Sequence, residues 1–374
     1  MRSCLIILHE DFTSFKKGYQ KIAKERIELL SAKYQIDLFV PYYFTKPKKF
    51  LKKKNINYFF YKKNLISTFF CTAYKLLFFK PFQVALYYDF GFKAFIKKKI
   101  ENINYDLNYL FLYRGFENIK LDKSSFVILD LIDPVCYSLK LKSKNSSLRF
   151  FYLIESFLCN LYEKKISKYI HKVILISSRD KKFINNFKSI LNFPHILKKS
   201  QFKYSKYKKG NICFSGNLNY SENINHVKWL NKEILPKLEP QQKLYLIGAN
   251  PKMSFFNKLN KKKIKIIKNP TNIITEISRF KVSLNGKSMY GSNTKIFDSF
   301  CANILPIVTK EVKNDNYFND YPLIAKSNEH YVNLLKKLIA NKSYYYKKIK
   351  KVNNFKKKFF EKKIKNKFYD IINK

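Results

Sequence analysis

Apolar and polar positions along the chain switch repeatedly between two periods: short apolar runs alternate with stretches whose apolar residues recur every three or four places. The runs predict strands at 4–8, 36–40, 56–61, 109–113, 126–131 and 173–176, and the amphipathic stretches between them predict helices at 18–33, 65–79, 90–103, 149–169 and 178–186. A lysine-rich passage with little period, 195–209, reads as a linker. The alternation then restarts, with strands at 212–214, 244–247, 264–267, 282–284, 304–308 and 323–325 and helices at 223–238, 273–280 and 328–339. Strand and helix in turn make doubly wound parallel sheets. The expectation is therefore α/β, with two Rossmann-like domains at 1–194 and 210–342 and a basic helical segment at 343–374. For that last segment three readings stay open: a solvated terminal helix, a helix packed back on the N-terminal domain, and an interfacial membrane helix.

The stretch 282–309, VSLNGKSMYGSNTKIFDSFCANILPIVT, carries the densest signal. It reads as strand, polar loop, helix and second strand, a βαβ unit with a right-handed crossover. Its loop holds two glycines and three hydroxyl side chains and runs straight into Lys295. Backbone donors at a helix start, with about half a positive charge, suit a phosphate. A lysine in the first turn opposes that dipole unless an anion is present, and Asp298, one turn on, can accept hydrogen bonds from ribose hydroxyls. The competing reading is a capped surface helix with an i, i+3 ion pair.

The 374 residues suit two cores, and 46% are hydrophobic. A net charge of +49 points by itself to nucleic acid or an anionic membrane surface. Only six of the 75 basic residues are arginine, however, and arginine is what base and phosphate readout favours. Most of the charge therefore reads as compositional bias, and nucleic acid is not the expected partner. The six cysteines are scattered with no C-x-x-C pair, which fits a reduced compartment rather than a disulfide framework or zinc site. MRSCLIILHED reads as a first strand rather than a signal peptide, and no run reaches membrane-spanning length. The expected location is cytoplasmic, with a peripheral place on the inner membrane face left open.

Taken in order, several stretches resemble one known family. They are PFQVALYY, YLFLYR, VILDLIDPVCYSLK and YEKKISKYIHKVILISSRDKKFI in the first half, then ICFSGNLNYSENINHVKWLNKEILP, LYLIGANP and YGSNTKIFDSFCANILPIV in the second. The chain looks like a retaining GT-B glycosyltransferase of the family-four type, as in bacterial capsule, exopolysaccharide and lipopolysaccharide pathways. The resemblance implies two Rossmann-like domains facing across a cleft, a nucleotide-sugar donor on the C-terminal one and a glycan or lipid-linked acceptor on the N-terminal one. It implies no cofactor and no metal. Carried over by position, Gly216, Asn217, Asn219 and Gly248 lie at strand ends near the diphosphate or sugar. Gly291, Ser292, Asn293, Thr294 and Lys295 contact both, and Asp298 holds the ribose. Gly18 matches the glycine of the family's first loop, and Arg114 and Asp133 line the acceptor side. Two departures stand out: Tyr290 occupies the place of the family's first carboxylate, and Asn303 stands where glycine is usual.

The resemblance implies that Lys295 meets the charge of the leaving diphosphate with the loop amides beside it. Asp133 and His9, each at a strand end, are candidates to orient an acceptor hydroxyl, against a turn cap and an ordinary loop histidine respectively. His171, His195, His226 and His330 have no spacing that suggests a metal site, and Glu155 and Glu163 read as a solvated or interdomain face. Two other functions stay in view: a non-catalytic GT-B-like subunit, motivated by Tyr290 and the short Asp298, and a basic nucleic-acid-binding protein.

Overall fold

The computed structural model describes residues 1–12, 18–121, 124–144, 147–205, 210–286 and 294–373. The chain divides into two compact units, one mainly Met1–Pro194 with Lys365–Lys374, the other mainly His195–Met289 with Asn293–Ile364. Each is a parallel α/β layer structure, so the α/β, Rossmann-like class read from the alternation is the class found.

In the first unit the strands are β1 (Arg2–Ile7), β2 (Tyr34–Tyr42), β3 (Ile56–Lys62), β4 (Leu107–Phe111), β5 (Val127–Ile132), β6 (Lys172–Leu175) and β7 (Ile190–Asn192). They pair in the order β3-β2-β1-β4-β5-β6-β7. Every residue of β4 and β5 is buried, as expected of central parallel strands covered on both faces. Across them lies a buried ion pair: Arg26 Nε is 3.2 Å from Asp130 Oδ2, and both side chains are 0% exposed. The Tyr109 hydroxyl donates to the same oxygen at 2.8 Å, and Arg26 Nη2 donates to the Phe193 carbonyl at 2.9 Å. The guanidinium also lies 5.8 Å from the ring centroid of Phe368, on the terminal helix Glu361–Ile372. Lys172 Nζ donates to the carbonyls of Ile371 (2.9 Å) and Asn373 (2.6 Å), so the last turns of the chain close this core.

In the second unit β8 (Gly210–Ser215), β9 (Leu244–Gly248), β10 (Ile264–Lys268), β11 (Phe280–Leu284), β12 (Leu305–Thr309) and β13 (Ile324–Ala325) pair in the order β10-β9-β8-β11-β12-β13. The helix Lys342–Lys356 belongs here, burying Val352 and Phe355. Among the described residues no helix is long and apolar enough to cross a membrane.

Among the boundaries that differ from the sequence reading, four have a plain physical cause. Residues 223–238 are not one helix: Ser221–Trp229 is α-helical, Leu230–Ile234 widens to a π turn and Leu235–Lys237 tightens to a 3₁₀ turn, because Pro236 lacks the N–H that an α-helix needs and its ring crowds the carbonyl four places back. Residues 178–186 form only a 3₁₀ segment, Ser178–Phe183, since the chain turns at once into β7, a strand too short to read as a run. Phe280 opens β11 by pairing with Gly210, the preceding helix having stopped at Ile277. The linker is shorter than 195–209, because Ile196 and Leu197 are buried and Leu197 bridges to Phe360. Glu155 and Glu163 are buried rather than solvated: Glu155 accepts the Phe82 and Gln83 amides at 2.7 and 3.0 Å, and Glu163 accepts from Asn186 at 3.3 Å.

With only eight glycines, the chain turns its corners on asparagine: Asn102, Asn250, Asn269 and Asn303 all have positive φ. Asn303 explains the glycine usual at its place. It has φ 52°, and the amides of Asn303 and Ile304 bond the carbonyls of Phe300 (3.2 Å) and Ser299 (3.1 Å), a Schellman ending for the helix Thr294–Cys301.

Candidate functional site

In the second unit the strand order reverses between β8 and β11, since β9 and β10 build outward from one and β12 and β13 from the other. At such a point the loops diverge and leave a crevice beyond the carboxyl ends of the strands. After β8 the chain turns through Gly216, whose amide donates to the Ile247 carbonyl at 3.0 Å, while Leu218 donates to Ala249 at 2.8 Å. Two glycines let these turns touch. A Cβ on Gly248 would fall on the Gly216 carbonyl oxygen, and one on Gly216 would stand 2.8 Å from Asn223 Nδ2 and 3.0 Å from Lys295 Cε. Asn217 and Asn219 are exposed in this turn, with Asn217 Oδ1 accepting the Asn219 amide at 2.9 Å and the Asn217 carbonyl accepting Asn223 Nδ2 at 2.7 Å.

Lys295 reaches this turn from the helix Thr294–Cys301, which follows β11. Its ammonium lies 5.4 Å from the Phe214 ring centroid. Burial lowers its pKa to about 8, while Glu222 and Asp298 pull in the other direction. The helix is tied to the sheet by a buried relay in which Asn285 Nδ2 donates to Ser283 Oγ (2.9 Å), Ser283 Oγ to Ser299 Oγ (2.7 Å) and Ser299 Oγ to the Lys295 carbonyl (2.7 Å). Asp298 and Thr294 are half-buried on the same helix.

One neighbour escaped the sequence reading. The spacing of His226 suggests no metal site; its Nε2 donates to the Leu284 carbonyl at 3.1 Å, and its ring packs on Phe214 and Trp229 with centroids 4.7 and 5.2 Å away. Burial first, and the Lys295 charge second, push its pKa down to about 3. It is therefore a neutral wall of the site, with Gly286 pressed so close that a Cβ there would overlap the ring. The helical period 223, 226, 227 held the available signal. Lys228, on the helix that follows the Gly216 turn, is exposed and lies 5.8 Å from the Phe255 ring centroid. Tyr290, Gly291, Ser292 and Asn293 lie outside the described residues.

The first unit has its own reversal, between β1 and β4. There His9, after β1, is buried among Phe12, Tyr19 and Tyr87, with ring centroids 5.2, 5.5 and 4.7 Å away. Arg114, after β4, donates through Nε to Gln83 Oε1 at 3.3 Å and lies 5.5 Å from the Tyr87 and 5.9 Å from the Tyr19 ring centroid. Glu10 joins them, accepting from the Tyr19 hydroxyl and from Gln20 Nε2 at 3.1 Å. His9 and Arg114 are thus brought together on one aromatic cluster, burial raising the Tyr19 and Tyr87 phenols. Gly18 is exposed at the start of the helix Gly18–Leu30. Asp133 stands one strand further along and is half-buried. Its amide bonds the Leu131 carbonyl at 2.6 Å across Ile132, a β-branched residue held at φ 66°, which is strained backbone at a strand end.

Among the described residues no three His, Cys, Asp or Glu side chains gather to hold a metal ion. No protein-family model matches the chain, and no curated protein matches it in sequence. Solved structures do match along its full length. Sucrose-phosphate synthase from Thermosynechococcus elongatus aligns with a TM-score of 0.69 at 11% identity, over 99% of this chain and 98% of that one. WaaG, a glycosyltransferase involved in lipopolysaccharide biosynthesis, aligns with a TM-score of 0.63 at 11% identity, over 99% of both. The trehalose-6-phosphate protein from E. coli, solved with UDP-2-fluoro glucose, gives 0.62 at 12%, again over 99% of both. The shared property is the fold, which is the GT-B fold.

Proposed function

We propose that this GT-B chain is a retaining glycosyltransferase, moving a sugar from a nucleoside-diphosphate sugar to a bacterial surface glycan or its lipid-linked precursor. The observation that carries the reading is Lys295. Its ammonium is drawn into the β8–β11 crevice, beside Gly216 and over Phe214, at the start of a helix whose dipole it opposes. An unfavourable placement of that kind is offset when a diphosphate enters.

In this reading the donor diphosphate sits at the start of Thr294–Cys301, and Gly216 and Gly248 allow it to approach the backbone. Asp298 holds the ribose, and Gly291, Ser292, Asn293 and Thr294 supply donors. His226 stays neutral, so it adds no second charge and forms an apolar wall. As the glycosidic bond breaks, charge develops on the departing phosphate, and the fixed Lys295 cation stabilises it there. The same phosphate takes the acceptor's proton in a front-face displacement. Arg114, Glu10 and the tyrosines around His9 are polar groups suited to sugar hydroxyls, and Asp133 orients the attacking one. The UDP-sugar analogue bound by the E. coli neighbour and the involvement of WaaG in lipopolysaccharide biosynthesis support this reading.

Thermal unfolding with UDP, GDP, CMP and ADP and the matching nucleotide sugars tests it, because a ligand at a hundred times its Kd adds about 2.7 kcal/mol to the folded state. One base should raise the transition, and its sugar nucleotide should be consumed when a glycolipid acceptor is added. A well-folded protein that responds to none of them overturns the proposal.

A further inference from the structure

The helix Leu65–Leu77 is inverted. Its buried residues are Thr68 and Cys71, and its threonine hydroxyls donate to carbonyls one turn back along the same backbone, Thr68 Oγ1 to Asn64 at 2.8 Å and Thr72 Oγ1 to Thr68 at 2.7 Å. Its apolar side chains point out: Ile66 is 68%, Phe69 69%, Phe70 65% and Leu77 77% exposed. A helix packed on a water-soluble core has the opposite arrangement. The exposure continues through Phe79, at 81%, to Phe82, whose ring meets Phe151 with centroids 5.9 Å apart. Phe151 belongs to the helix Arg149–Ile166, where Phe150, Ile154 and Phe157 are 78%, 60% and 61% exposed. Single exposed apolar residues are ordinary, but two joined helices presenting phenylalanine form a patch built for an apolar partner.

The charges around the patch select that partner. Between Lys62 and Lys99 the one acidic residue is Asp89, which is buried, whereas Lys62, Lys97, Lys98 and Lys99 are exposed. Between Lys140 and Lys168 the acids are Glu155 and Glu163, also buried, whereas Lys144, Arg149, Lys164 and Lys168 are exposed. Lys75 and Lys80 pair with the half-buried Glu117, and one exposed acid, Glu101, follows Lys99, so exposed cations far outnumber exposed anions in the flanking segments, which complements an anionic lipid surface. A second copy of this chain would bring the same cationic rim against it, and the two would repel.

We infer that the face formed by Leu65–Leu77, Phe79, Phe82 and the outer side of Arg149–Ile166 docks the first unit on an anionic membrane, its phenylalanines entering the headgroup boundary. The docking is independent of the donor chemistry above, so either assignment can fail alone.

Flotation of the full chain with vesicles tests it, using phosphatidylcholine alone and with about a third phosphatidylglycerol. The protein is expected to float with the anionic vesicles, weakly with the neutral ones, and less in 1 M salt, where screening shortens to about 3 Å. Replacing Phe69, Phe70 and Leu77 together by Asn should lower partitioning about a hundredfold. The melting temperature should hold, because these side chains are exposed. Phe150→Asn with Ile154→Asn is a second variant on the other helix and should lower partitioning as well. Flotation of both variants equal to that of the wild type, or equal binding to neutral and anionic vesicles, overturns the inference. So does a chain that ignores vesicles but sediments as a dimer that the triple variant breaks.

Discussion

Gly216 and Lys295 share one space: a Cβ on the glycine would stand 3.0 Å from Cε of the lysine, although the two residues lie at the ends of different strand–loop units. Gly248 holds the other side of the same turn, where a Cβ would collide with the Gly216 carbonyl. Gly216→Ala is therefore expected to displace Lys295 and weaken the nucleotide-induced rise in melting temperature while the protein still folds. Gly248→Ala meets the Gly216 backbone first and Leu218 Cγ at 3.2 Å, and should cost about 2 kcal/mol or more in urea unfolding.

The Lys295 charge is carried at a cost. Burial lowers its pKa to about 8, below the ordinary lysine value, so the folded state binds the proton less well than the unfolded chain. The penalty is fully present below about pH 8 and fades as pH rises toward the unfolded lysine value. Lys295→Met should consequently leave the ligand-free protein as stable or more stable at pH 7 while removing the nucleotide shift. In the wild type, affinity for the nucleotide sugar should be level up to about pH 8 and fall up to tenfold over the next unit, as calorimetry at several pH values would register.

Ser299 links the helix Thr294–Cys301 to β11, accepting a hydrogen bond from Ser283 and donating one to the Lys295 carbonyl. Ser299→Ala leaves the buried Ser283 hydroxyl without that acceptor and should cost about 1–3 kcal/mol of stability. It should also weaken nucleotide binding, which thermal shift with and without nucleotide separates from the stability loss.

Asn303 occupies the left-handed position of the Schellman ending, its side chain accepting from Lys356 Nζ at 3.3 Å. Asn303→Val, β-branched at positive φ, should lower stability by about 1–2 kcal/mol, whereas Asn303→Gly should stay within about 0.5 kcal/mol of wild type in the same denaturant titration.

Removing one partner of the Arg26–Asp130 pair leaves a charge buried without its counterpart. Arg26→Met should destabilise the first unit by about 3–5 kcal/mol, visible as the earlier of two unfolding transitions by calorimetry.

What the sequence determined by itself was periodic and local. Runs such as 127–131, apolar except for Asp130, and 244–247 read as central parallel strands, since nearly every position along them is apolar. The ladder of strand and helix then restricts the topology to doubly wound sheets. The Lys295–Asp298 spacing placed both residues on one helix without coordinates. What only the tertiary structure decided was which distant side chains converge. His226 carries only a helical period in the sequence, because its role comes from β11, whose Leu284 carbonyl fixes the ring, and from Lys295, which opposes its protonation. Glu155 and Glu163 looked solvated by composition, yet amides and side chains from elsewhere in the chain satisfy them in the core. The inverted helix 65–77 has the apolar content of a core helix, and only packing reveals that Thr68 and Cys71 are its buried positions. Periodicity records which face of an element is apolar, but the side on which a neighbour lies depends on long-range pairing that no local window contains.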